Sequence, residues 1–122
     1  MDRALKIMIV DDNAELRAFV RNLLSDLAEE ICDYGDGASA LAHYDQHRPD
    51  WTVVDIVMPG IDGLAVTSWI KSRYPNARVA VMTQNDNPKL KARAFQMGAT
   101  VFVPKDDLLQ LRSLMEKHSR VY

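Results

Sequence analysis

Residues 51–63 have the sequence WTVVDIVMPGIDG and contain a complete transition from a strand to a helix. Residues 51–54 form a short apolar run broken only by Thr52, as is typical of a buried strand. Asp55 ends this run, and turn-forming residues follow it: Pro59, Gly60, Asp62 and Gly63. A helix is predicted from there to about Tyr74, because Pro75 comes next. The segment therefore predicts a buried strand, a loop and a helix, in that order.

Four other segments repeat this arrangement. Apolar runs at residues 5–10, 79–82 and 101–103 predict three more buried strands, and a poorly patterned run at residues 30–34 predicts another. Helical periodicity is clearest after the first strand, where Asn13 is placed to cap a helix. The apolar residues of that helix recur at Leu16, Phe19, Val20, Leu23, Leu24 and Leu27. The chain is therefore predicted to contain five βα units.

Strands that alternate with helices indicate a parallel sheet with helices on both faces, because right-handed crossovers place successive helices over the sheet. The length of 122 residues suits one domain, and 48% hydrophobic with 26% charged residues is typical of a globular protein with a core. The sequence has no internal repeat, low-complexity segment or linker rich in Gly, Ser or Pro. We therefore predict a single α/β domain over residues 1–122.

The charge and cysteine content exclude several classes of function. A formal net charge of -2 and a pI near 5.9 give no general attraction to nucleic acid, so direct nucleic-acid binding is not expected. Cys32 is the single cysteine and cannot form an internal disulfide. The sequence shows no signal-peptide pattern and no run of about 18 apolar residues, so neither secretion nor a membrane span is expected. These features fit a reducing cytoplasm.

Polar residues of complementary chemistry stand at the ends of the predicted strands. Asp11 and Asp12 follow the first strand, Asp55 the third, Thr83 the fourth and Lys105 the fifth. Because the carboxyl ends of parallel strands share one edge of the sheet, where ligands bind, these side chains are expected to converge. Three carboxylates, a hydroxyl and an ammonium would form an acidic pocket suited to a divalent cation and a phosphoryl group.

The acidic residues favour Mg²⁺ as the cation. Mg²⁺ takes near-octahedral oxygen coordination at about 2.0–2.1 Å, usually from one or two carboxylates, waters and phosphate oxygens. Asp12 and Asp55 are the candidate direct ligands. Crowded carboxylates repel one another and raise at least one pKa, so Mg²⁺ and the Lys105 ammonium are expected to balance them. For phosphoryl transfer, Asp55 would be the nucleophile, while Thr83 and Lys105 would donate hydrogen bonds.

The chain resembles the response-regulator receiver domains of two-component signalling. The matching segments are IVDDN at 9–13, VVDIVMPGIDG at 53–63, VMT at 81–83 and GATVFVPK at 98–105. The most specific elements are D-x-x-M-P-x-x-D-G, which begins at Asp55, and G-A-x-x-F-x-x-K, which ends at Lys105. The resemblance covers the whole chain. It implies a flavodoxin-like (βα)5 doubly wound sandwich whose five parallel strands lie in the order 2-1-3-4-5.

The same resemblance implies a role for each site residue. Asp55 resembles the phospho-acceptor, and Thr83 and Lys105 match the positions that sense the phosphoryl group. Phe102 matches the aromatic residue that changes rotamer when Thr83 moves. The implied Mg²⁺ site consists of the carboxylates of Asp11, Asp12 and Asp55 and the main-chain carbonyl of Val57.

The resemblance implies a signalling switch and not an enzyme that acts on other substrates. A histidine kinase or phosphotransfer protein would donate a phosphoryl group to Asp55, and the domain would catalyse only this step and slow dephosphorylation. The surface of the fourth helix, fifth strand and fifth helix would change and control an output domain or an effector protein. The resemblance also implies a homodimer on phosphorylation, formed either by the first and fifth helices or by the fourth helix and fifth strand. Lys105 followed by Asp106 resembles receivers attached to LuxR-type output domains that regulate transcription.

Two departures from the family pattern leave alternatives open. Gln84 stands where the family usually has a small residue and could cover the site, in which case the domain would be an interaction module that is not phosphorylated. Val57 has no polar group to orient an attacking water, so a long-lived phosphoryl-aspartate is expected. A haloacid-dehalogenase-like phosphatase would need a second Asp at the position of Val57. An FMN-binding flavodoxin would need a loop rich in Ser, Thr or Gly after the first strand, where Asp11, Asp12 and Glu15 would repel the phosphate. Both are disfavoured.

Other polar residues are interpreted as surface residues. The three histidines, His43, His47 and His118, lack the spacing of metal ligands and are predicted to be exposed. A basic stripe on the fourth helix is predicted to be solvated and consists of Lys89, Lys91 and Arg93.

Overall fold

Five parallel strands form the centre of the computed structural model, which describes residues 5–119. The strands are β1 Leu5–Val10, β2 Ala28–Tyr34, β3 Trp51–Asp55, β4 Arg78–Thr83 and β5 Val101–Pro104. The helices are α1 Ala14–Leu24, α2 Gly37–Ala42, α3 Tyr44–His47, α4 Gly63–Arg73, α5 Pro88–Gln96 and α6 Leu109–Ser119. The strand order is β2-β1-β3-β4-β5, with helices on both faces, which confirms the predicted fold class.

Two predictions concern the chain as a whole. The predicted domain spans residues 1–122, of which residues 1–4 and 120–122 lie outside the described part, so its bounds stay a prediction. Within residues 5–119, no helix has the length and apolar character needed to cross a lipid bilayer.

The largest difference from the predicted elements lies in the second crossover. The single helix predicted for the second βα unit is divided at His43 into α2 and α3. His43 leaves the helical backbone, with φ -108° and ψ 5°, and both its main-chain N–H and its ring contact the Ser39 carbonyl oxygen. The helices predicted as the fourth and fifth are therefore α5 and α6. The weakly patterned strand at residues 30–34 also begins earlier, at Ala28.

The core lies on both faces of the sheet, because side chains alternate along each buried strand. In β1, Ile7 and Ile9 belong to the cluster that includes residues of α1 and α6, whereas Met8 and Val10 belong to the cluster that includes residues of α2 to α5. None of these four residues is more than 1% exposed. This burial on both faces explains why β1 is apolar at every position except Lys6.

Helix α1 buries only part of its apolar residues. Val20 and Leu24 are fully buried, but Phe19, which belongs to the same predicted periodicity, is 48% exposed. Neighbouring helical residues point about 100° apart, so Phe19 and Val20 cannot both face the sheet. Phe19 therefore lies at the solvent-exposed border of the helix.

Of the three histidines predicted to be surface residues, His47 is the least exposed. Its side chain is only 18% exposed, with Nε2 at 2.7 Å from the Tyr34 hydroxyl and Nδ1 at 3.1 Å from a Glu30 carboxylate oxygen. Polar partners on both ring nitrogens allow this imidazole to be largely buried. His43 and His118 are exposed, and His43 stacks on the Tyr34 ring.

The predicted site residues lie at the edge of the sheet that the carboxyl ends of the strands form. Asn13 caps α1 by accepting two main-chain hydrogen bonds of its first turn, so the helix begins directly after the Asp11–Asp12 pair. Gly63 starts α4 against the end of β3, and a Cβ atom built there would overlap the Asp55 carbonyl oxygen. Only glycine permits this close approach, which folds the loop after Asp55 tightly over the strand end.

Candidate metal and phosphoryl site

Lys105 joins two buried carboxylates at the carboxyl edge of the sheet. Its Nζ atom lies 2.8 Å from Oδ2 of Asp11 and 3.1 Å from Oδ2 of Asp55. The side chains are nearly enclosed, with exposed fractions of 0% for Asp11, 7% for Asp55 and 12% for Lys105. Residues from three distant parts of the chain therefore meet at one point, as the parallel sheet predicts.

The environment of Asp55 disfavours its negative charge. Burial raises the pKa of Asp55, and this effect exceeds the opposing effects of Lys105 and of the Val57 N–H, while Asp11 adds to the rise. The Val57 N–H donates to Oδ1 of Asp55 at 3.3 Å. A carboxylate in this position is stabilised by additional positive charge.

Lys105 is held in its charged form. Burial opposes the charge, but Asp11 and Asp55 outweigh it, so the pKa of Lys105 is raised above its ordinary value. Lys105 is therefore an ammonium at neutral pH. Lys105 contributes one formal positive charge beside the three acidic residues Asp11, Asp12 and Asp55, so the formal charge of the site is negative.

The three acidic residues are placed to bind one cation together. Asp11, Asp12 and Asp55 each offer a carboxylate oxygen, and these atoms all lie within 4.8 Å of one another. Asp12 is the exposed member, so the cluster opens to solvent on its side. Oδ1 of Asp11 accepts the Asn13 N–H at 2.8 Å, which orients this carboxylate. Hard oxygen donors at this spacing fit Mg²⁺.

A cleft of about 300 Å³ opens over the acidic cluster, and all the predicted site residues except Phe102 line it. Val57 is 72% exposed at its wall and contributes no polar side chain. Gln84 is exposed and forms another part of the wall beside Asn85. The size of the cleft shows that the Gln84 side chain does not fill it.

Thr83 lines the same cleft, and its hydroxyl contacts the loop that follows β4. Oγ1 accepts the Asn85 N–H at 2.9 Å and donates to the Asn85 carbonyl oxygen over a long 3.4 Å. Phe102 lies outside the cleft, is only 8% exposed and belongs to a core cluster with Val81. Val81 and Phe102 are register partners on the paired strands β4 and β5. Thr83 and Phe102 are therefore connected by neighbouring strands, without sharing the cleft.

Arg17 contacts the site and was not predicted from the sequence. Its Nη1 donates to the main-chain carbonyl oxygen of Asp11 at 2.7 Å, and its Nε donates to Asp33 at 3.0 Å. Arg21 binds the second oxygen of Asp33 at 2.6 Å. The sequence shows only that α1 carries basic residues and that β2 contains an acid. It does not show the contact with Asp11, because the acceptor there is a main-chain oxygen, which every residue has.

Comparison with known proteins is consistent with this geometry. The family model described as the response regulator receiver domain matches residues 7–116. The chemotaxis protein CheY of Listeria monocytogenes is 31% identical over 102 residues, which cover 83% of this chain and 86% of CheY. The DNA-binding transcriptional regulator NtrC of Escherichia coli K12 is 31% identical over 112 residues, which cover 91% of this chain but 24% of NtrC. The chain thus spans about a quarter of the length of that relative.

A solved structure shares the architecture. The two-component response regulator of the LuxR family from Aurantimonas sp. SI85-9A1 aligns with a TM-score of 0.84 and 26% identity, over 98% of this chain and 89% of that one. The family match, the shared strand order and this structural likeness agree with one another. The chain therefore belongs to the response regulator receiver domain family.

Proposed function

We propose that Asp55 accepts a phosphoryl group from a histidine kinase or phosphotransfer protein and thereby changes the surface that the domain presents to a partner. The observation that carries this proposal is the position of the Asp55 carboxylate, which lines an open cleft 3.1 Å from the Lys105 ammonium. A transferred phosphoryl group brings three oxygens whose charge needs positive partners. Lys105 is placed to provide one of them.

The transfer would form a bond between an Asp55 oxygen and phosphorus and break the bond from phosphorus to the nitrogen of a phosphohistidine. The nitrogen keeps the electron pair of the broken bond. The Val57 N–H contacts one oxygen of Asp55 and the Lys105 ammonium contacts the other. The carboxylate is therefore held in one orientation before the donor arrives, which reduces the entropic part of the barrier.

Mg²⁺ is the cation proposed for the acidic cluster, where it would supply positive charge to the phosphoryl oxygens. The carboxylates of Asp11, Asp12 and Asp55 and the carbonyl of Val57 are the proposed ligands. Support comes from the carboxylate oxygens within 4.8 Å of one another and from a single ammonium that cannot balance them.

Thr83 is the proposed link between the phosphoryl group and Phe102. The bond from its hydroxyl to the Asn85 carbonyl is long, at 3.4 Å, and a phosphoryl oxygen would be a stronger acceptor. A shift of Thr83 towards the phosphoryl group would disturb β4, and through it the buried Phe102 ring on β5. The two orientations of this ring would be two states of the domain, and the phosphoryl group would shift their populations.

The surface formed by α5, β5 and α6 is the proposed binding surface for an output domain, an effector protein or a second copy of the chain. Phe95 on α5 is 42% exposed there, which provides apolar area for a partner. The likeness to a LuxR-family response regulator, together with Asp106 after Lys105, supports an output domain that regulates transcription. In this proposal the domain is a cytoplasmic switch and does not act enzymatically on other substrates.

An interaction module that is never phosphorylated is the second candidate. Gln84 in the cleft wall is the observation that favours it, because the side chain could swing across the approach to Asp55. This candidate predicts that Gln84→Ala has no effect on partner binding and that phosphodonors do not change the domain.

Solution NMR spectra recorded before and after addition of acetyl phosphate with Mg²⁺ test the switch. We expect amide resonances of α5, β5 and α6 to shift in the wild type, and to shift much less in Thr83→Ala, whose acceptor Asp55 is intact. Equal shifts in wild type and Asp55→Asn would contradict the proposal. An absence of shifts in the wild type would favour the unphosphorylated module.

A further inference from the structure

Arg17 connects the loop that contains Asp11 and Asp12, here called the acidic loop, to the neighbouring strand β2. The guanidinium donates from Nη1 to the Asp11 carbonyl oxygen at 2.7 Å and from Nε to Oδ1 of Asp33 at 3.0 Å. Its side chain is 21% exposed, so both contacts are made largely away from solvent. The N–H of Asp11 also donates to the Tyr34 carbonyl oxygen at 3.1 Å. The main chain of Asp11 is thus bonded on both sides to groups that are anchored on β2.

The Asp11 carbonyl belongs to the peptide group that connects Asp11 to Asp12. A peptide group is planar, so fixing its oxygen also fixes the amide nitrogen and Cα of Asp12. Two of the three carboxylates in the acidic cluster project from the two ends of this plane. Rotation of the plane would move both carboxylates relative to Asp55.

We propose that Arg17 is a positioning residue for the acidic cluster, acting through the Asp11–Asp12 peptide and not through contact with a ligand. Asp33 holds the guanidinium in place, and the guanidinium holds the peptide. The inference rests on the proposed function in one respect, because the cation used to measure its effect is Mg²⁺. Outer contacts of this kind change metal affinity because they set the orientation of the ligands.

Arg21 provides a matched control. It binds Oδ2 of Asp33 at 2.6 Å, as Arg17 binds Oδ1, and it also lies on α1. Among the contacts of residues 5–119, however, only Arg17 reaches the Asp11 carbonyl oxygen. Each of the variants Arg17→Gln and Arg21→Gln removes one arginine from Asp33. Arg17→Gln also removes the hydrogen bond to the Asp11 carbonyl oxygen, whereas Arg21→Gln does not.

Mg²⁺ titrations of the unphosphorylated chain, followed by amide NMR, test the proposal. Arg17→Gln should weaken Mg²⁺ binding about 10-fold, whereas Arg21→Gln should stay within about 2-fold of the wild type. Without metal, the Asp12 and Asn13 amide resonances should shift in Arg17→Gln and not in Arg21→Gln. Equal effects of the two variants in either readout would overturn the assignment of Arg17. If the wild type binds no Mg²⁺, the proposed metal site fails and the metal-free shifts decide the role of Arg17.

A second cleft, of about 360 Å³, lies at the opposite end of the sheet, where β3 and β4 begin. We call it the arginine cleft, because its lining includes Arg48, Arg73 and Arg78 beside the rings of Tyr44 and Tyr74. Asp50 is the only carboxylate in its lining, and one of its oxygens accepts the Lys6 N–H at 2.8 Å. The arginine cleft is therefore positive in a chain whose formal net charge is -2.

The three arginines of this cleft have no carboxylate partner among residues 5–119. Within residues 5–119, Arg17, Arg21 and Arg112 form ion pairs with carboxylates. The remaining arginines of this part of the chain are Arg48, Arg73, Arg78 and Arg93, none of which has a carboxylate oxygen within 4.0 Å there. Three of these four line the arginine cleft.

Arg48 occupies a position that its backbone makes costly. It ends α3 with φ 45° and ψ 61°, the left-handed conformation for which glycine or asparagine is favoured at the end of a helix. Its Cζ lies 5.6 Å from the centre of the Tyr74 ring, and the Arg73 Cζ lies 4.6 Å from the centre of the Trp69 ring. Both guanidinium groups are thus placed by aromatic rings, which leave their N–H groups free of carboxylates.

From this cleft we infer a second binding site, for a small polyphosphate anion. Guanidinium groups bind phosphate oxygens in pairs, and several of them in one cleft suit several negative charges. A volume of about 360 Å³ lies in the range of small-molecule sites, whereas a stable protein partner usually buries about 800 Å² on each side. Inorganic tripolyphosphate and a nucleoside triphosphate are both small molecules that carry three linked phosphate groups.

Calorimetric titration of the metal-free chain with tripolyphosphate and, separately, with ATP tests the second site. Arg48→Gly should weaken binding at least about 10-fold while raising the melting temperature, because glycine tolerates this backbone conformation. Arg93→Gln removes an unpaired arginine outside the cleft and should leave binding unchanged. Tighter binding of ATP than of tripolyphosphate would identify a nucleotide as the ligand, and the reverse an inorganic one. Absence of saturable binding, equal losses in both variants or binding of a hexaglutamate peptide alone would overturn the inference.

Discussion

The Lys105 ammonium nitrogen lies 3.1 Å from Oδ2 of Asp55 in a site where neither side chain is more than 12% exposed. Lys105 also lies 2.8 Å from Asp11, so a single cation separates two buried carboxylates. A further positive charge at this site, such as a bound cation, would therefore stabilise the two carboxylates.

Replacement of Lys105 by Met should destabilise the fold, because Asp11 and Asp55 would then face each other without a cation. Breaking a buried ion pair on one side costs about 3 kcal/mol in the free energy of unfolding. Mg²⁺ should restore more stability to Lys105→Met than it adds to the wild type. Urea unfolding with and without Mg²⁺ measures both effects, and Lys89→Met, at an exposed lysine, is the control. A loss equal to that of the control would contradict the role of Lys105.

Gly63→Ala should distort the site although Gly63 carries no chemical group. Its Cβ would overlap the Asp55 carbonyl oxygen and the start of the loop that follows. Because these are main-chain atoms, the strand end must move, at a cost of about 2 kcal/mol or more. Gly35→Ala is a suitable control, since its Cβ would meet nothing closer than 3.4 Å. Equal unfolding free energies for the two variants would show that the loop can adapt.

The ion pairs of Asp33 should give the domain a specific dependence on pH. Burial raises the pKa of Asp33, but Arg21 and Arg17 outweigh burial and hold the pKa below its ordinary value. A lowered folded-state pKa stabilises the fold above the unfolded pKa of about 3.9, and this stabilisation is lost as the pH falls through the lower, folded value.

Asp33→Asn tests this dependence. The variant should be less stable than the wild type at pH 7 by about 1 kcal/mol, because the Asp33 side chain is 27% exposed and solvent screens the pairs. The difference should narrow only when the pH falls below about 4. Urea midpoints between pH 3 and pH 7 measure it, with Asp86→Asn at an exposed carboxylate as the control. A difference that is independent of pH would show that Asp33 acts through packing.

Val57→Asn should shorten the life of the phosphoryl group on Asp55. Val57 is 72% exposed and lines the cleft over the acidic cluster, so an amide side chain there could orient a water for attack on phosphorus. Val57→Ala changes the size of the side chain without adding a polar group and is the control. Decay of the phosphorylated species can be followed by mass after removal of the donor. A lifetime in Val57→Asn as long as in Val57→Ala would contradict this explanation.

The sequence allowed the strands to be placed better than the helices. Residues 5–10 were predicted as a strand with the bounds that the structure shows, because five of the six residues are apolar and the run is short. The division of the second crossover at His43 was not predicted, because residues 38–47 contain no glycine or proline that would interrupt a helix. Likewise, the burial of His47 depends on partners from β2 that are distant in sequence.

The acidic cluster was predictable because its side chains stand at strand ends that a parallel sheet brings together. The structure brings Asp11, Asp12, Asp55 and Lys105 together, and places Thr83 in the same cleft. The contact of Arg17 with a backbone carbonyl could not be inferred from residue types. The roles of these residues in phosphoryl transfer stay predictions.

The most direct test of the central claim is the intact mass of the chain after incubation with acetyl phosphate and Mg²⁺. Wild type should gain the mass of one phosphoryl group, and the gain should be absent in Asp55→Asn and when Mg²⁺ is removed. Asp12→Asn, which changes an exposed carboxylate of the cluster, should slow the gain without moving it to another residue. The same gain in Asp55→Asn and in the wild type would contradict the assignment of Asp55 as the acceptor.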